Sequence, residues 1–511
     1  MSRQKKSLIN ANINVVFYFI SAVIAFFSRK IFLQYLGDDF IGLTGTVGNM
    51  LGLMNMAELG IGTAIGVSLY KPIFEKDRKN INEIISVFGF LWRRVGLIIL
   101  GIAILISFFF PYFFSKTQMA LSIIYVLFYS FLASSLIGYF NNYKQILLSS
   151  DQRNYIITLL YSTSILIKTL LQMVLVVHYR SYYGWIFIEL LFNILYSLAL
   201  NYKIRHDYPW LHSNVWDGKT LFPKYKYLWV KTKEVFAHKI SYLVLNQTDQ
   251  ILIYSFTNLA TVAQYGNYML IAVKSGSLFE VLFSGLNAGI GNLIQEKDIK
   301  KIKKIFWELN SFRFFMAGCL VIILYFSMEP LISLWVGHKY IMDKSVLILI
   351  LINLYFMQII STVELFKNSY GLFQDVWAPI TEVVINLTVA LVLGYFIGIR
   401  GVLLGTALSA LIIKVMWKPY FLYKRGFEEP VLGFWLVVAK YMAGFGLCIL
   451  ALHFLAPYFE LSNIQQLKGF LTYSVLVASS SITIYGLFLY LTDKGFRNFM
   501  LRIWNLLPIN K

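Results

Sequence analysis

Stretches of 18 or more nearly uncharged residues recur from end to end of this chain of 511 residues. A helix needs about 20 apolar residues to cross a bilayer, so stretches of this length predict membrane spans. The composition, 58% hydrophobic and only 14% charged, fits a polytopic membrane protein. Because lipid offers the backbone no hydrogen-bond partners, and because these runs do not alternate polar with apolar residues, we expect helical spans and an all-α fold.

About fourteen spans are predicted, each bounded by charge, Pro or Gly. Their ranges are 10–36, 40–70, 95–114, 119–147, 154–178, 183–203, 236–257, 261–294, 314–336, 345–370, 376–398, 401–423, 431–456 and 469–492. The runs 40–70 and 261–294 are longer than a bilayer requires, so we expect them to tilt or to project into the cytoplasm.

A ten-residue segment occurs twice, at 75–84 and 296–305, with six of the ten positions identical. Each copy lies between two long apolar segments, so both copies are expected to be polar hairpins joining corresponding helices. Two like-oriented lobes that hold substrate between them are a known transporter plan. A chance likeness of two Lys-rich hairpins is the alternative interpretation.

The repeat predicts two pseudo-symmetric lobes around a central cavity. In chain order we expect an N-terminal lobe, a cytoplasmic linker, a C-terminal lobe, two additional transmembrane helices and an interfacial amphipathic tail. Their ranges are 1–208, 209–232, 233–428, 429–492 and 493–511.

The Lys and Arg residues outside the spans predict that both termini are cytoplasmic. The segments on that side are 1–9, 71–94, 144–153, 203–233, 296–313, 418–429 and 493–511, and they hold roughly thirty basic residues. The outer loops hold Lys116, Arg180, Lys339, Lys344, Arg400 and Lys468. Topology and contact with anionic lipid headgroups therefore explain the net charge of +20, and no nucleic-acid partner is expected.

The loops argue against an enzyme. The largest one, 203–233, is too small for a catalytic or nucleotide-binding domain, and the phosphate-binding motif Gly-x-x-x-x-Gly-Lys-Ser/Thr is absent from the sequence. The pair Asp38 and Asp39 is better interpreted as a helix-capping turn than as a catalytic pair. The sequence predicts no catalytic residue, no metal ligand and no bound cofactor.

Basic residues inside the predicted spans indicate a polar cavity. A charge at mid-bilayer costs roughly 2.5 to 3.5 kcal/mol, so it persists where it is paired or faces water. The candidates for lining such a cavity are Arg29, Lys168, Lys274 and Lys367. Alternatively, Lys367 is neutralised by Glu364, which lies three residues earlier on the same helix. A cationic cavity suits a phosphate or pyrophosphate, because Arg binds phosphate oxygens through two parallel hydrogen bonds.

Several acidic residues are predicted at similar depth in the spans. Glu58 and Asp249 are the candidates for coupling transport to a proton or sodium gradient. The membrane potential is an alternative driving force, and the sequence leaves the choice open. The interval in sequence between Arg29 and Asp249 nearly equals the interval between the two repeated segments, so the repeat places them at near-equivalent positions on the first helices of the two lobes.

Two motifs in the first 90 residues carry a family resemblance. They are Arg29-Lys-Ile-Phe-Leu-Gln-Tyr-Leu-Gly37, continuing through Phe40-Ile-Gly42-Leu, and Ala57-Glu-Leu-Gly-Ile-Gly-Thr-Ala-Ile65, followed by Ser68-Leu-Tyr-Lys-Pro72. Both resemble the O-antigen-type polysaccharide flippases of the multidrug/oligosaccharidyl-lipid/polysaccharide (MOP) exporter superfamily. Beyond these motifs the resemblance depends on hydropathy and on the number of spans, since the family's two six-helix lobes followed by two additional helices suit a chain of fourteen spans.

The resemblance implies a V-shaped transporter of the bacterial inner membrane that moves undecaprenyl-pyrophosphate-linked oligosaccharide to the outer leaflet. By the motifs, Arg29 is similar to the family's first-helix cavity arginine, and Glu58 to an acidic residue of its second helix. The eighth-helix arginine of the related lipid II flippases has no counterpart here, although Met269 and Lys274 lie nearby. Membrane lipid is an expected partner, and glycan polymerase and ligase proteins are potential ones.

Three other functions compete with this interpretation. A cation-coupled multidrug extruder of the same superfamily should line its cavity with acidic residues, whereas this chain has an excess of basic ones. A membrane glycosyltransferase or acyltransferase would need a clustered catalytic site in an outer loop, which the sequence does not show. A scaffold protein within a glycan-assembly complex would leave the intramembrane charges without a purpose.

Overall fold

The computed structural model describes residues 3–55, 61–226, 244–245, 247–283, 286–459 and 466–506. Helices dominate these ranges and they contain no β-strand, which confirms the all-α prediction. The described residues divide into two compact units, 1–263 and 264–511. The finer division into five segments stays a prediction.

The N-terminal unit contains ten helices in the described ranges. They are α1 (Arg3–Met54), α2 (Ile61–Glu75), α3 (Arg78–Ser107), α4 (Phe110–Phe113), α5 (Leu121–Phe140), α6 (Gln145–Ser150), α7 (Asn154–Tyr179), α8 (Tyr182–Asp207), α9 (Val215–Leu221) and α10 (Asp249–Phe256). Gly37 interrupts α1 with φ +84° and ψ 165°. Glycine adopts this backbone region without a steric penalty. The break lies between the first two predicted spans, 10–36 and 40–70.

The next helix begins at the end of the N-terminal unit, and the others lie in the C-terminal unit. They are α11 (Leu259–Phe283), α12 (Leu286–Gln295), α13 (Ile299–Trp335), α14 (Lys344–Ser369), α15 (Trp377–Ile397), α16 (Ile399–Phe427), α17 (Leu432–Phe459), α18 (Leu467–Thr492) and α19 (Lys494–Leu506). Two stretches of α16, Ala410–Trp417 and Tyr423–Phe427, are π-helical.

Eleven helices in the described ranges are long and apolar enough to cross a membrane. They correspond to eleven of the fourteen predicted spans. The other three, 40–70, 236–257 and 261–294, each include residues outside the described ranges. The protein is therefore a multi-pass membrane protein, and a count of about fourteen spans fits the structure.

The two repeated hairpins have the same backbone conformation. Lys76 has φ +56° and Lys297 has φ +57°. In each hairpin the next residue caps a helix, because Asp77 accepts the N–H of Asn80 at 3.0 Å and Asp298 accepts the N–H of Lys301 at 3.1 Å. The sequence repeat thus marks a repeat of local structure.

Both hairpins are shorter than predicted. The segments 71–94 and 296–313 were expected to be cytoplasmic loops, but α3 begins at Arg78 and α13 at Ile299. The aspartate caps explain the difference, since each satisfies a backbone N–H at a helix start that charge counting alone does not locate. As a result, residues assigned to a loop lie on a long helix and pack inside the unit.

A short helix crosses the long helix that follows each hairpin. A Cβ placed on Gly218 of α9 would lie 2.2 Å from the carbonyl oxygen of Ser86 on α3. A Cβ on Gly495 of α19 would lie 2.8 Å from the carbonyl oxygen of Trp307 on α13. The interval in sequence between Ser86 and Trp307 equals the interval between the two hairpins. Both crossings therefore use a glycine at the corresponding point.

Candidate functional site

Arg29 lies on α1, eight residues before the break at Gly37, and its side chain is half-buried. Its Nη2 donates a hydrogen bond to the carbonyl oxygen of Ala263 at 2.9 Å. The next residue, Lys30, is exposed. The two neighbouring cations therefore lie in different environments, and the bond to Ala263 fixes the position of the Arg29 guanidinium.

Lys168 on α7 is held in an ion pair. Its Nζ lies 2.5 Å from Oε1 of Glu189 on α8, and each side chain is 15% exposed. The other carboxylate oxygen of Glu189 accepts a hydrogen bond from Gln172 at 3.1 Å. Because the two charges neutralise each other between two packed helices, the structure favours a structural role for Lys168 over anion binding.

Lys367 on α14 is also paired, but not with Glu364. Its Nζ lies 2.6 Å from Oδ1 of Asp375, and both residues are buried. Trp417 donates to the other carboxylate oxygen of Asp375 at 3.3 Å. Glu364 instead forms an ion pair with Lys418. The predicted local pair is therefore replaced by two pairs that bind α14 to its neighbours.

A third ion pair completes a cluster in this part of the C-terminal unit. Lys414, in the first π-helical stretch of α16, lies 3.2 Å from the buried Glu382 of α15. The six residues together carry three positive and three negative charges, namely Lys367, Lys414, Lys418, Glu364, Asp375 and Glu382. This neutral cluster joins three helices and is better suited to holding them together than to binding an anion.

The remaining candidates are Lys274, Asp249 and Glu58. Lys274 lies on α11 and is half-buried. Asp249 is the first residue of α10, in the N-terminal unit, and it is partly exposed. Glu58 lies outside the described residues. The structure thus places Lys168 and Lys367 in ion pairs, and a role of Arg29 and Lys274 in binding a ligand stays a prediction.

Arg313 is a buried cation that the sequence did not predict. It is 1% exposed, its Nε donates to the carbonyl oxygen of Gln358 at 2.9 Å, and its Nη2 pairs with Glu280. Its guanidinium carbon lies 4.5 Å from the centroid of the Phe283 ring. The predicted loop 296–313 included this residue, and only the true start of α13 shows that it lies inside the bundle.

A polar contact near the start of α3 fixes residues 224 and 225 of the predicted linker to the N-terminal unit. Lys224 pairs with Glu83 on α3, and the hydroxyl of the buried Tyr225 lies 2.8 Å from the same carboxylate. Burial, with the hydrogen bond to Glu83 next in importance, raises the pKa of Tyr225 to about 12. Tyr225 therefore stays neutral at physiological pH and can donate to Glu83.

Comparisons of sequence identify no relative. No model of a known protein family matches the chain, and no curated protein matches it.

Comparisons of structure do find similar proteins. The lipid II flippase MurJ in an inward closed conformation superimposes with a TM-score of 0.71, covering 95% of this chain and 99% of the flippase at 16% identity. A multidrug resistance MATE family transporter of the MOP superfamily in an inward-facing conformation gives a TM-score of 0.55, covering 81% of this chain and 99% of the transporter at 14% identity. At these identities the likeness concerns the fold, and the chain therefore has the fold of the MOP-superfamily transporters.

Proposed function

We propose that this protein is a flippase for undecaprenyl-pyrophosphate-linked oligosaccharide, such as an O-antigen, capsule or exopolysaccharide repeat unit. It would move this lipid from the cytoplasmic to the outer leaflet of the bacterial inner membrane, with both termini in the cytoplasm. The observation that carries the proposal is the whole-length likeness to a lipid II flippase, which covers 95% of the chain. Lipid II flippases and the proposed protein would share a substrate class, an isoprenoid pyrophosphate with a polar sugar head.

The extent of the likeness favours a flippase over a drug extruder. Both the flippase and the inward-facing MATE transporter align over 99% of their own length, but they cover 95% and 81% of this chain respectively. A MATE-like fold alone therefore leaves a larger part of this chain unexplained. A cation-coupled extruder stays the second candidate, because this chain also resembles the MATE transporter in fold.

The proposed mechanism is alternating access. Arg29 and Lys274 would bind the pyrophosphate while the lipid tail stays in the bilayer, and the two lobes would then expose the site to the other leaflet. Arginine suits this role, since its planar group can form two parallel charge-assisted hydrogen bonds to phosphate oxygens. Glu58 and Asp249 are the proposed coupling carboxylates, with H+ or Na+ as the coupling ion.

The adjacent cations Arg29 and Lys30 provide a matched test. In proteoliposomes loaded with a fluorescent polyprenyl-pyrophosphate oligosaccharide, we expect Arg29→Ala to slow leaflet exchange by about tenfold or more, because a hydrogen bond to a charged group contributes roughly 1.5 to 3 kcal/mol. Lys30→Ala removes an equal charge from the exposed neighbouring position and should change the rate less than about twofold. Equal effects of the two substitutions, or none, would contradict a role for Arg29 in binding the anion.

A further inference from the structure

A cleft of about 350 Å³ lies between the start of α13 and the terminal helix α19. Residues from both helices line it, namely Lys304, Glu308, Asn498, Leu501, Arg502 and Asn505. Five of these six residues are polar, and the amide groups of Asn498 and Asn505 can both donate and accept hydrogen bonds. All six residues belong to the C-terminal unit.

The charges of this cleft do not cancel. The carboxylate of Glu308 is 2% exposed, and Arg502 neutralises it with an Nη2 to Oε2 distance of 2.7 Å. Lys304 is exposed, and within the described ranges no ion-pair partner for it is found. One turn earlier on α13, Lys300 is exposed as well. The cleft therefore has an excess positive charge and suits an anion.

The helix beside the cleft also has an apolar face that the protein covers only in part. Phe496 is 2% exposed, and the Phe499 ring packs at 4.4 Å between centroids on that of Phe312. The same face continues through Met500, Ile503 and Trp504, which are 37%, 37% and 61% exposed. A helix with an uncovered apolar face and basic residues on its other side is typical of one lying at a membrane surface.

An exposed apolar face on α19 and an excess positive charge in the cleft between α13 and α19 thus occur together beside the end of a membrane span. We propose that this cleft binds the headgroup phosphate of an anionic phospholipid, whose acyl chains contact the exposed side chains of Leu501 and Trp504 at its margin. Lys304 and Arg502 would contact the phosphate, and Asn498 and Asn505 the glycerol oxygens. The proposal concerns a site separate from Arg29 and does not depend on the transported substrate.

The test is a lipid titration of the full-length protein in mild detergent, followed by native mass spectrometry. We expect phosphatidylglycerol to bind more tightly than phosphatidylcholine. A basic residue near an anionic lipid surface contributes enough free energy that Lys304→Gln should weaken phosphatidylglycerol binding about fivefold. Lys304→Arg keeps the charge and should restore binding. Lys300→Gln removes an equal charge outside the cleft and serves as the control.

Three outcomes would overturn the proposal. The first is equal binding of the two lipids by the unmodified protein, and the second is an equal loss of binding in Lys304→Gln and Lys300→Gln. The third is full competition by soluble glycerol phosphate at the concentration at which the lipid binds, because this would identify a soluble phosphate compound as the occupant. Selective loss in Lys304→Gln, with no such competition, supports the lipid.

Discussion

Each compact unit contains the same local arrangement of a hairpin, a long helix and a short crossing helix, here called the corner, but with different side chains. In each unit a capped hairpin leads into a long helix, and a short helix crosses that helix through a glycine, at Gly218 in one unit and Gly495 in the other. The crossing points, Ser86 and Trp307, are separated by the same interval in sequence as the hairpins. The backbone of the corner is thus repeated closely, including a left-handed residue and an aspartate cap.

The side chains at the repeated positions differ in charge. Val87 is fully buried in the N-terminal unit, while its counterpart Glu308 is a buried carboxylate paired with Arg502. Glu83 binds Lys224, while its counterpart Lys304 lines a cleft. The corner therefore depends on close backbone approach and helix capping, and it accommodates either apolar or charged side chains at these positions.

Trp92 and Arg313 extend the same contrast deeper along the two long helices. They are counterparts at the same sequence interval, and Trp92 packs on the Phe88 ring at 4.5 Å between centroids. Arg313 instead forms hydrogen bonds and an ion pair inside the C-terminal unit. One unit therefore uses apolar contacts where the other uses buried charge.

The largest loss of stability is expected from breaking the ion pair between Arg502 and Glu308. Arg502→Ala leaves Glu308 buried without its partner and should cost about 3 kcal/mol of unfolding free energy, the low end for a broken buried pair because Arg502 is half exposed. Glu308→Val installs the residue found at the corresponding position of the N-terminal unit. Combined with Arg502→Ala, it should recover most of the loss in a denaturing-detergent titration. A double variant no more stable than Arg502→Ala would show that the two corners are not interchangeable.

A smaller effect is expected from adding a methyl group at each crossing. Gly218→Ala would place its Cβ 2.2 Å from a carbonyl oxygen, while Gly495→Ala would place it 2.8 Å away. Because both contacts are with backbone, the helices must separate, and we expect losses of about 2 and about 1 kcal/mol respectively. The same unfolding titration measures both. The shared architecture of the crossings would be refuted by a variant pair with wild-type stability.

The smallest effect is expected at the caps, where the two units are most alike. Asp77→Ala and Asp298→Ala each remove one side-chain hydrogen bond at a helix start and should cost about 1 kcal/mol. Asp→Asn at either position keeps an acceptor and should cost much less. Losses that differ between the two hairpins by more than the cost of a cap would mean that only one aspartate caps its helix in solution.

Much of the fold could be predicted from the sequence, because membrane spans are long, apolar and separated by charge. The repeat was also visible, since the hairpin needs Asp at the cap and polar residues beside it. The beginnings of α3 and α13 were not predicted, because a helix that leaves the membrane becomes polar without ending. Arg313 was missed for this reason.

The partners of the candidate cations were harder to predict. Lys168 pairs with a residue on the next helix, and the Asp375 that pairs with Lys367 lies in a short predicted loop. Hydropathy gives the depth of a residue but not the direction of its side chain. Glu189 lies within the predicted span 183–203, yet only the packing of α7 on α8 brings it to Lys168.

The proposed flippase activity is tested most directly by measuring two substrates in the same proteoliposomes. One is a labelled polyprenyl-pyrophosphate oligosaccharide, whose leaflet exchange is followed by quenching from outside, and the other is a lipophilic organic cation, whose efflux is followed by fluorescence. We expect protein-dependent exchange of the pyrophosphate lipid that Arg29→Ala slows, and no transport of the cation. Transport of the cation with no exchange of the lipid would contradict the proposed flippase activity.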